Sequence, residues 1–271
     1  MNLLLLIILF SAIGGVLSAM AAAAFLLLSD QRRQQVLPHG ISFAIGALLA
    51  VSFWGLLPEA FSGVQPDAFQ SLSGTVLVGI FLFFVLEKLL IWRHCHFGSC
   101  AAHGEEQVHS HAHGHGHHLK SAGMFIILGD SLHNFVDGIL IAAAFLTDPE
   151  LGMVTSLAVA AHEIPQEVGD FAILLSSGYG KAKALFYNVM ASLATVVGGV
   201  IAYFSLADLQ AYLPYFLALA ASSFIYIALS DLIPTLHKKT EIKASLYQIV
   251  LIVAGVLLIA VLHDWVHEFG V

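Results

Sequence analysis

The chain has 271 residues, of which 59% are hydrophobic and only 10% charged. A soluble domain carries about 25% charged residues, so this composition, with a mean hydropathy of +0.88, excludes a chain that folds in water. The formal charge of −8 suits a handler of cations and gives no support to nucleic-acid binding.

Crossing a hydrocarbon core of ~30 Å takes about 20 apolar residues. About eight runs meet that length, near 3–28, 40–58, 73–92, 121–146, 151–176, 184–206, 212–235 and 244–264. They leave no room for a separate soluble domain. The expectation is an all-α membrane protein, with 1–271 forming one polytopic transmembrane domain in the cell (inner) membrane. The first run is expected to remain as a span, since no basic residue precedes it and it is long for a signal core. With eight spans, Arg32 and Arg33 lie in the first loop and Lys88, Arg93 and Lys120 flank the third. Lys181 and Lys183 flank the fifth, and Lys238, Lys239 and Lys243 the seventh. Every basic residue then falls on one side, which makes that side cytoplasmic and places both termini outside.

The first span carries Gly14, Gly15 and Ala21 to Ala24, small residues that allow close helix packing. The second ends in Leu56-Leu57-Pro58-Glu59-Ala60, where Glu59 reads either as an attractor of cations at the outer mouth or as an interfacial carboxylate. The cytoplasmic loop over 93–120 holds Cys95 and Cys100, expected as reduced thiols, and a tract with His103, His109, His111, His113, His115, His117 and His118. Such a tract cannot bury a core and binds borderline metals with adaptable geometry.

The fourth span opens with Gly129-Asp130-Ser131-Leu132-His133-Asn134-Phe135-Val136-Asp137-Gly138. His133 and Asp137 are i,i+4 neighbours on one face, with Asp130 on the same stripe and Asn134 beside it. A short turn, Thr147-Asp148-Pro149-Glu150, leads into the fifth span. There His162, Glu163, Gln166, Glu167 and Asp170 fall within a stripe about 140° wide. An unpaired ion in hydrocarbon costs several kcal/mol or more, so two adjacent helices with facing polar stripes call for a bound cation. Pro165 removes a backbone donor and frees the carbonyl near Ala161, which is expected to line a wet or ion-filled cavity. Further along, Asn188 reads as a helix-packing hydrogen bond. Asp231 reads as either an exit-side carboxylate or a capping group, and the His263 to Glu268 cluster lies at the outer end.

His133, Asp137 and His162 are the expected ligands, with Gln166 a weak fourth; Asn134, Glu163 and Glu167 could hold a second ion close by. Mixed nitrogen and oxygen ligation suits Zn²⁺ first, with Fe²⁺, Co²⁺, Mn²⁺ and Cd²⁺ as other fits.

The two stretches HNFVDG at 133–138 and HEIPQEVGD at 162–170 resemble the fourth and fifth helices of the ZIP (Zrt/Irt-like) metal transporters. The branch with HNxxDG and HExPHExGD is the most similar. The resemblance runs through the whole chain, including the His-rich third loop and the LLPEA and DLIP stretches of the second and seventh spans. It implies a binuclear site, with His133, Asp137 and His162 nearer one metal and Asn134 and Glu163 nearer the other. It also implies inverted repeats around the central helix pair and movement of a transport bundle against a scaffold. Gln166 stands where that branch has a second His.

The function expected is a zinc-preferring transporter that moves divalent metal into the cytoplasm, with Zn²⁺ as transported substrate; a homodimer is compatible with it. A metal exporter of another family is the alternative, because ligand type does not set direction. An intramembrane zinc protease is disfavoured, since its motif needs two His at i,i+4 and position 166 is Gln. No enzymatic activity is expected.

Overall fold

The structure is a computed structural model that describes residues 2–97, 115–237 and 242–269. Residues 103–114 of the histidine tract lie outside the described residues. So do the side chains of His94, Cys95, His96, Cys100 and the 263–268 cluster. Among the described residues the secondary structure is helical, without strands. The long helices are α1 (Leu3–Phe25), α2 (Gln31–Ser62), α3 (Phe69–Phe97), α4 (His115–Thr147), α5 (Pro149–Ser176), α6 (Lys181–Leu206), α7 (Gln210–Leu236) and α8 (Ile242–Phe269). Each expected apolar run falls on one of them. Seven are long and apolar enough to cross a membrane. The remaining one is α5, whose apolarity is lowered by its own polar stripe from His162 to Asp170.

The bundle is held by close backbone approach. The most extensive helix contacts are α4 with α6 and α2 with α8. A Cβ placed on Gly138 of α4 would collide with the Thr195 carbonyl of α6, and one on Gly198 of α6 with the Phe135 carbonyl of α4. Gly46 of α2 meets the Ile252 carbonyl of α8 in the same way, and Gly255 of α8 meets the Phe43 carbonyl of α2. Without hydrophobic drive between helices in lipid, such contacts supply dispersion that a bulkier residue would forfeit. The helix α5 lies inside the bundle, packed by α1, α2 and α4. Helices α3 and α8 face outward, with Leu77, Val78, Phe81, Leu246, Val250 and Val261 exposed as suits a lipid boundary.

Three helices widen into a π-turn, α1 at Ile13–Leu17, α2 at Val51–Leu56 and α7 at Ile227–Leu232. The latter two precede Pro58 and Pro234 at the same offset. A proline has no N–H for the carbonyl four residues earlier, and the widened turn passes bonding to i→i+5 ahead of it. At one end of the bundle Ala23 of α1 and Leu26 just after it, Phe171 and Leu174 of α5, Ala184 of α6 and Ile127 of α4 pack as a satellite cluster. Lys183 sits in the same region, with its Nζ 5.6 Å from the ring centres of Tyr179 and Tyr187. This end carries the basic residues Lys181 and Lys183.

Replacing Gly138 by Val is expected to drive α4 and α6 apart, at a cost at or above the usual overpacking range of about 1–3 kcal/mol. Gly74 of α3 has nothing within 4 Å of a built Cβ, so Gly74→Ala leaves stability unchanged. Thermal denaturation in detergent, followed by size-exclusion chromatography, measures both; equal midpoints for the two variants would contradict the packing.

Candidate metal centre

The α4–α5 turn sets the two polar stripes face to face. Asp148 caps α5, its carboxylate accepting from the Glu150 amide at 2.5 Å and the Leu151 amide at 3.3 Å, and Pro149 takes the first helical position, where no N–H is needed. Gly152 lies against the Phe145 ring, where a side chain would clash. The far end of α5 closes on Gly178 at φ +86°, with Tyr179 N–H donating to Leu174 O and Gly178 N–H to Leu175 O, the pattern of a Schellman cap.

Between these ends four side chains converge. His162 Nε2 lies 3.2 Å from Asp137 Oδ2 and 3.5 Å from Glu163 Oε1. His133 Nε2 lies 3.2 Å from Glu163 Oε1, 3.7 Å from Asp137 Oδ2 and 3.3 Å from His162 Nε2. His162 Nδ1 sits 3.2 Å from the Ala158 carbonyl, one turn back on α5. That contact assigns the ring hydrogen to Nδ1 and leaves the Nε2 lone pair facing the cluster. Asp137, His162 and Glu163 are fully buried, whereas the His133 side chain is 23% exposed and forms the open edge. Despite these short approaches, both oxygens of Asp137 and both of Glu163 lack a hydrogen-bond donor, as does Glu167 Oε2. Ligand lone pairs turned toward one point make an arrangement that repels itself unless a proton or a cation lies between them.

Helix α6 brackets the site from behind. Ser192 Oγ donates to Glu167 Oε1 at 2.6 Å, and Asn188 Nδ2 donates to the Glu167 carbonyl at 3.3 Å. Thr195 Oγ1 donates to Asn134 Oδ1 at 2.7 Å, and Asn134 Nδ2 donates to Asp130 Oδ1 at 2.8 Å. Asn188 is thus a helix-packing donor, as its sequence context suggests.

Of the sequence-derived ligands, the structure brings together His133, Asp137, His162 and Glu163, and sets Glu167 with Asp130 and Glu163 in an adjoining group. Asn134 is buried between Asp130 and Thr195, and Gln166 is half-buried one turn beyond His162. Pro165 differs from expectation. Its ring lines an apolar groove of about 390 Å³ with Phe25, Leu37, Gly40 and Ala161, on a different face of α5 from the ligands. Pro165 lies roughly 60° around the helix from His162 on the side away from Glu163, which carries it and Ala161 out of the polar stripe. Ser192 and Thr195 enter the site although the residue patterns do not select them, and Asp130 enters it although it was not among the expected ligands. Asp130 was visible on the stripe of α4, whereas a lone Ser or Thr in an apolar helix gives no signal of its own.

Comparison with known proteins agrees with this architecture. Residues 91–263 match the family described as ZIP Zinc transporter. Zinc transporter ZIP13 of Homo sapiens is 30% identical over 254 residues, covering 80% of this chain and 68% of that protein. Zinc transporter ZIP13 of Pongo abelii is 30% identical over 228 residues, covering 80% of this chain and 63% of that protein. Zinc transporter foi of Drosophila melanogaster is 40% identical over 139 residues, covering 51% of this chain and 19% of that protein. The chain belongs to the ZIP zinc transporter family, and it spans 63% of the length of the second of these relatives and 19% of the third.

Imidazoles bind metal only when neutral, and carboxylates only when ionised, so metal and protons compete for this cluster. Zinc affinity is expected to fall as pH is lowered, with protons released on binding. Calorimetry in buffers of different ionisation enthalpy checks this, and a binding enthalpy independent of buffer would count against it.

Proposed function

We propose that this chain carries divalent metal, Zn²⁺ by preference, across the membrane into the cytoplasm, with His133, Asp137, His162 and Glu163 holding the ion in transit. The observation that carries the reading is the four buried oxygens of Asp137 and Glu163, all without a donor, on the two carboxylates that meet the His133 and His162 imidazoles. The donor set of two nitrogens and two carboxylates is the chemistry that suits zinc, with Cd²⁺, Fe²⁺, Co²⁺ and Mn²⁺ as weaker fits. The names of the relatives, each a zinc transporter, support the same cargo.

Each residue has a separable task. His133, at the open edge, is the ligand within reach of an arriving ion. Asp137 and Glu163 supply the negative charge that offsets loss of the hydration shell. His162, held by Ala158, supplies a fixed nitrogen that favours zinc over a harder ion. Release follows when a change in the packing of α4 against α5 parts these groups, since no single one of them is enough to retain the ion.

The test is metal uptake into proteoliposomes of known orientation. Asp137→Ala and His162→Ala are expected to remove most zinc flux while leaving the protein folded. Wild-type vesicles with no flux above protein-free controls would sink the proposal.

Gln166 offers a second test, on selectivity. If it faces the ion, Gln166→His adds a nitrogen donor and tightens zinc more than manganese, and a tenfold gain needs only about 1.4 kcal/mol. The expected outcome is a lower zinc KM, with equal or lower maximal rate. Unchanged curves for both metals mean that Gln166 points away from the ion.

A further inference from the structure

The metal centre makes no use of the apolar groove beside Pro165. The floor of the groove is Pro165 and Val168 of α5, both buried, and its opposite wall is Gly40 and Phe43 of α2, with Phe25 at the end of α1. Every side chain that lines it is apolar. Val36 and Leu157 at its rim are 46% and 38% exposed, so it opens outward rather than into the bundle. A water molecule held there would need about two to four polar partners, which this lining does not offer. An empty groove would forfeit dispersion contacts along one side. These helices lie in hydrocarbon, where the molecule at hand to fill an apolar groove is a lipid acyl chain.

Length and charge narrow the occupant. The lining runs along α5 from Leu157 to Val168, which at about 1.5 Å per residue is roughly 16 Å, about half of a ~30 Å hydrocarbon core. That is the depth of one leaflet. One end of the groove lies at the turn between α1 and α2, where Phe25 closes α1 and Val36 follows the exposed Arg32 by one helical turn. Asp30, Arg32 and Arg33, one acid against two bases, give this turn a charge of +1. Leu26 of the same turn packs with Phe171 and Ala184, so Lys181 lies at this end too. A headgroup at that level meets positive charge, which attracts an anionic phosphate and does nothing for a neutral sterol.

We infer that the groove between α2 and α5 binds an anionic glycerophospholipid, with one acyl chain lying along Gly40 and Pro165 and the phosphate at Arg32. The site is separate from the metal centre and does not rest on the transport reading. Its consequence falls on α5. Pro165 and Val168 belong to the helix that carries His162 and Glu163, while the facing wall belongs to α2. A bound chain completes the packing between these two helices. It stabilises their present arrangement, because it binds that arrangement and loses its contacts when the walls part.

The test is native mass spectrometry of the purified full chain, delipidated in detergent and then offered equal amounts of phosphatidylglycerol and phosphatidylcholine with the same acyl chains. Wild type is expected to retain phosphatidylglycerol in preference, and to unfold at a higher temperature with it than with phosphatidylcholine. Gly40→Leu puts a side chain into the groove, where a built Cβ has only Pro165 Cγ, at 3.9 Å, within 4 Å. It changes no charge and is expected to lose the retained lipid. Ala160→Leu fills the groove from α5 and replaces it if Gly40→Leu does not fold. Arg32→Glu turns the charge of the α1–α2 turn from +1 to −1, two acids against one base. It is expected to cut the preference for phosphatidylglycerol about 25-fold, at about fivefold for each unit of charge. A single species in size-exclusion chromatography shows each variant folded. Lipid retained equally by wild type and the groove-filling variants is lipid bound elsewhere on the perimeter, and overturns the inference. So does retention that ignores the headgroup and Arg32→Glu, since the groove then takes any apolar chain.

Discussion

The structure depends on keeping Asp130, Asp137, Glu163 and Glu167 buried together in an apolar bundle. Ionised groups in such a medium cost several kcal/mol each unless they are paired. Part of that cost is offset by α6, whose Ser192 and Thr195 hydroxyls reach Glu167 and Asn134 at 2.6 and 2.7 Å. Those hydroxyls are short, so they can reach only if the helix backbones nearly touch. Gly138 and Gly198 permit that on the α4 side, and Gly15 of α1, which meets the Ser192 carbonyl and Thr195 Oγ1, permits it from the other. The glycine contacts and the buried charges are therefore one design problem. A side chain at any of the three glycines would pull the donors off the carboxylates before it disturbed the ligands themselves.

The packing has an internal correspondence. Helix α4 lies against α6 much as α5 lies against α1, and α2 lies against α8 much as α7 lies against α3. The π-turns of α2 and α7 occupy matching places before Pro58 and Pro234. These two helices flank the site from the groups α1–α3 and α6–α8. Both thus carry a local departure from α-geometry at the same depth in their sequence. A widened turn is a place where a helix bends with little loss of bonding, because an alternative acceptor is already in use. The site helices α4 and α5 stay α-helical across their ligands, and α5 does so even through Pro165.

Much of the centre was legible because helix geometry makes i,i+4 spacing visible. His133 with Asp137 and His162 with its neighbours could be placed on facing stripes from residue numbers alone. The apolar runs marked all eight helices, although α2 extends back to Gln31, well before the apolar run near 40. Helical bonding continues through polar residues once a stable span has nucleated the helix. Contacts between distant helices were not legible. Nothing in the spelling of α6 distinguishes Thr195, which bonds Asn134 of α4, or Ser192, whose Oγ lies within hydrogen-bond reach of Glu167 Oε1 as well as the Asn188 carbonyl, from a hydroxyl that bonds only its own backbone, as Ser52 does to Leu48. Pro165 was misplaced for a related reason. Its chemistry suggested a freed carbonyl at the ion, and only the rotation of α5 shows that its ring faces the apolar groove among Phe25, Leu37 and Gly40.

The separation of donors from carboxylates along the chain bears on biogenesis. Helices α4 and α5 are synthesised first and bring the acidic groups; α6 follows with the hydroxyls and amide that bond Asn134 and Glu167. A hairpin of α4 and α5 released alone into lipid would carry its carboxylates without those partners, at a cost that insertion does not tolerate well. The hairpin gains those partners only once Gly198 and Thr195 have emerged and docked. Membrane integration of this chain is in that sense a three-helix event. The loop at Ser177 to Gly180, only a few residues long between α5 and α6, keeps the waiting time short.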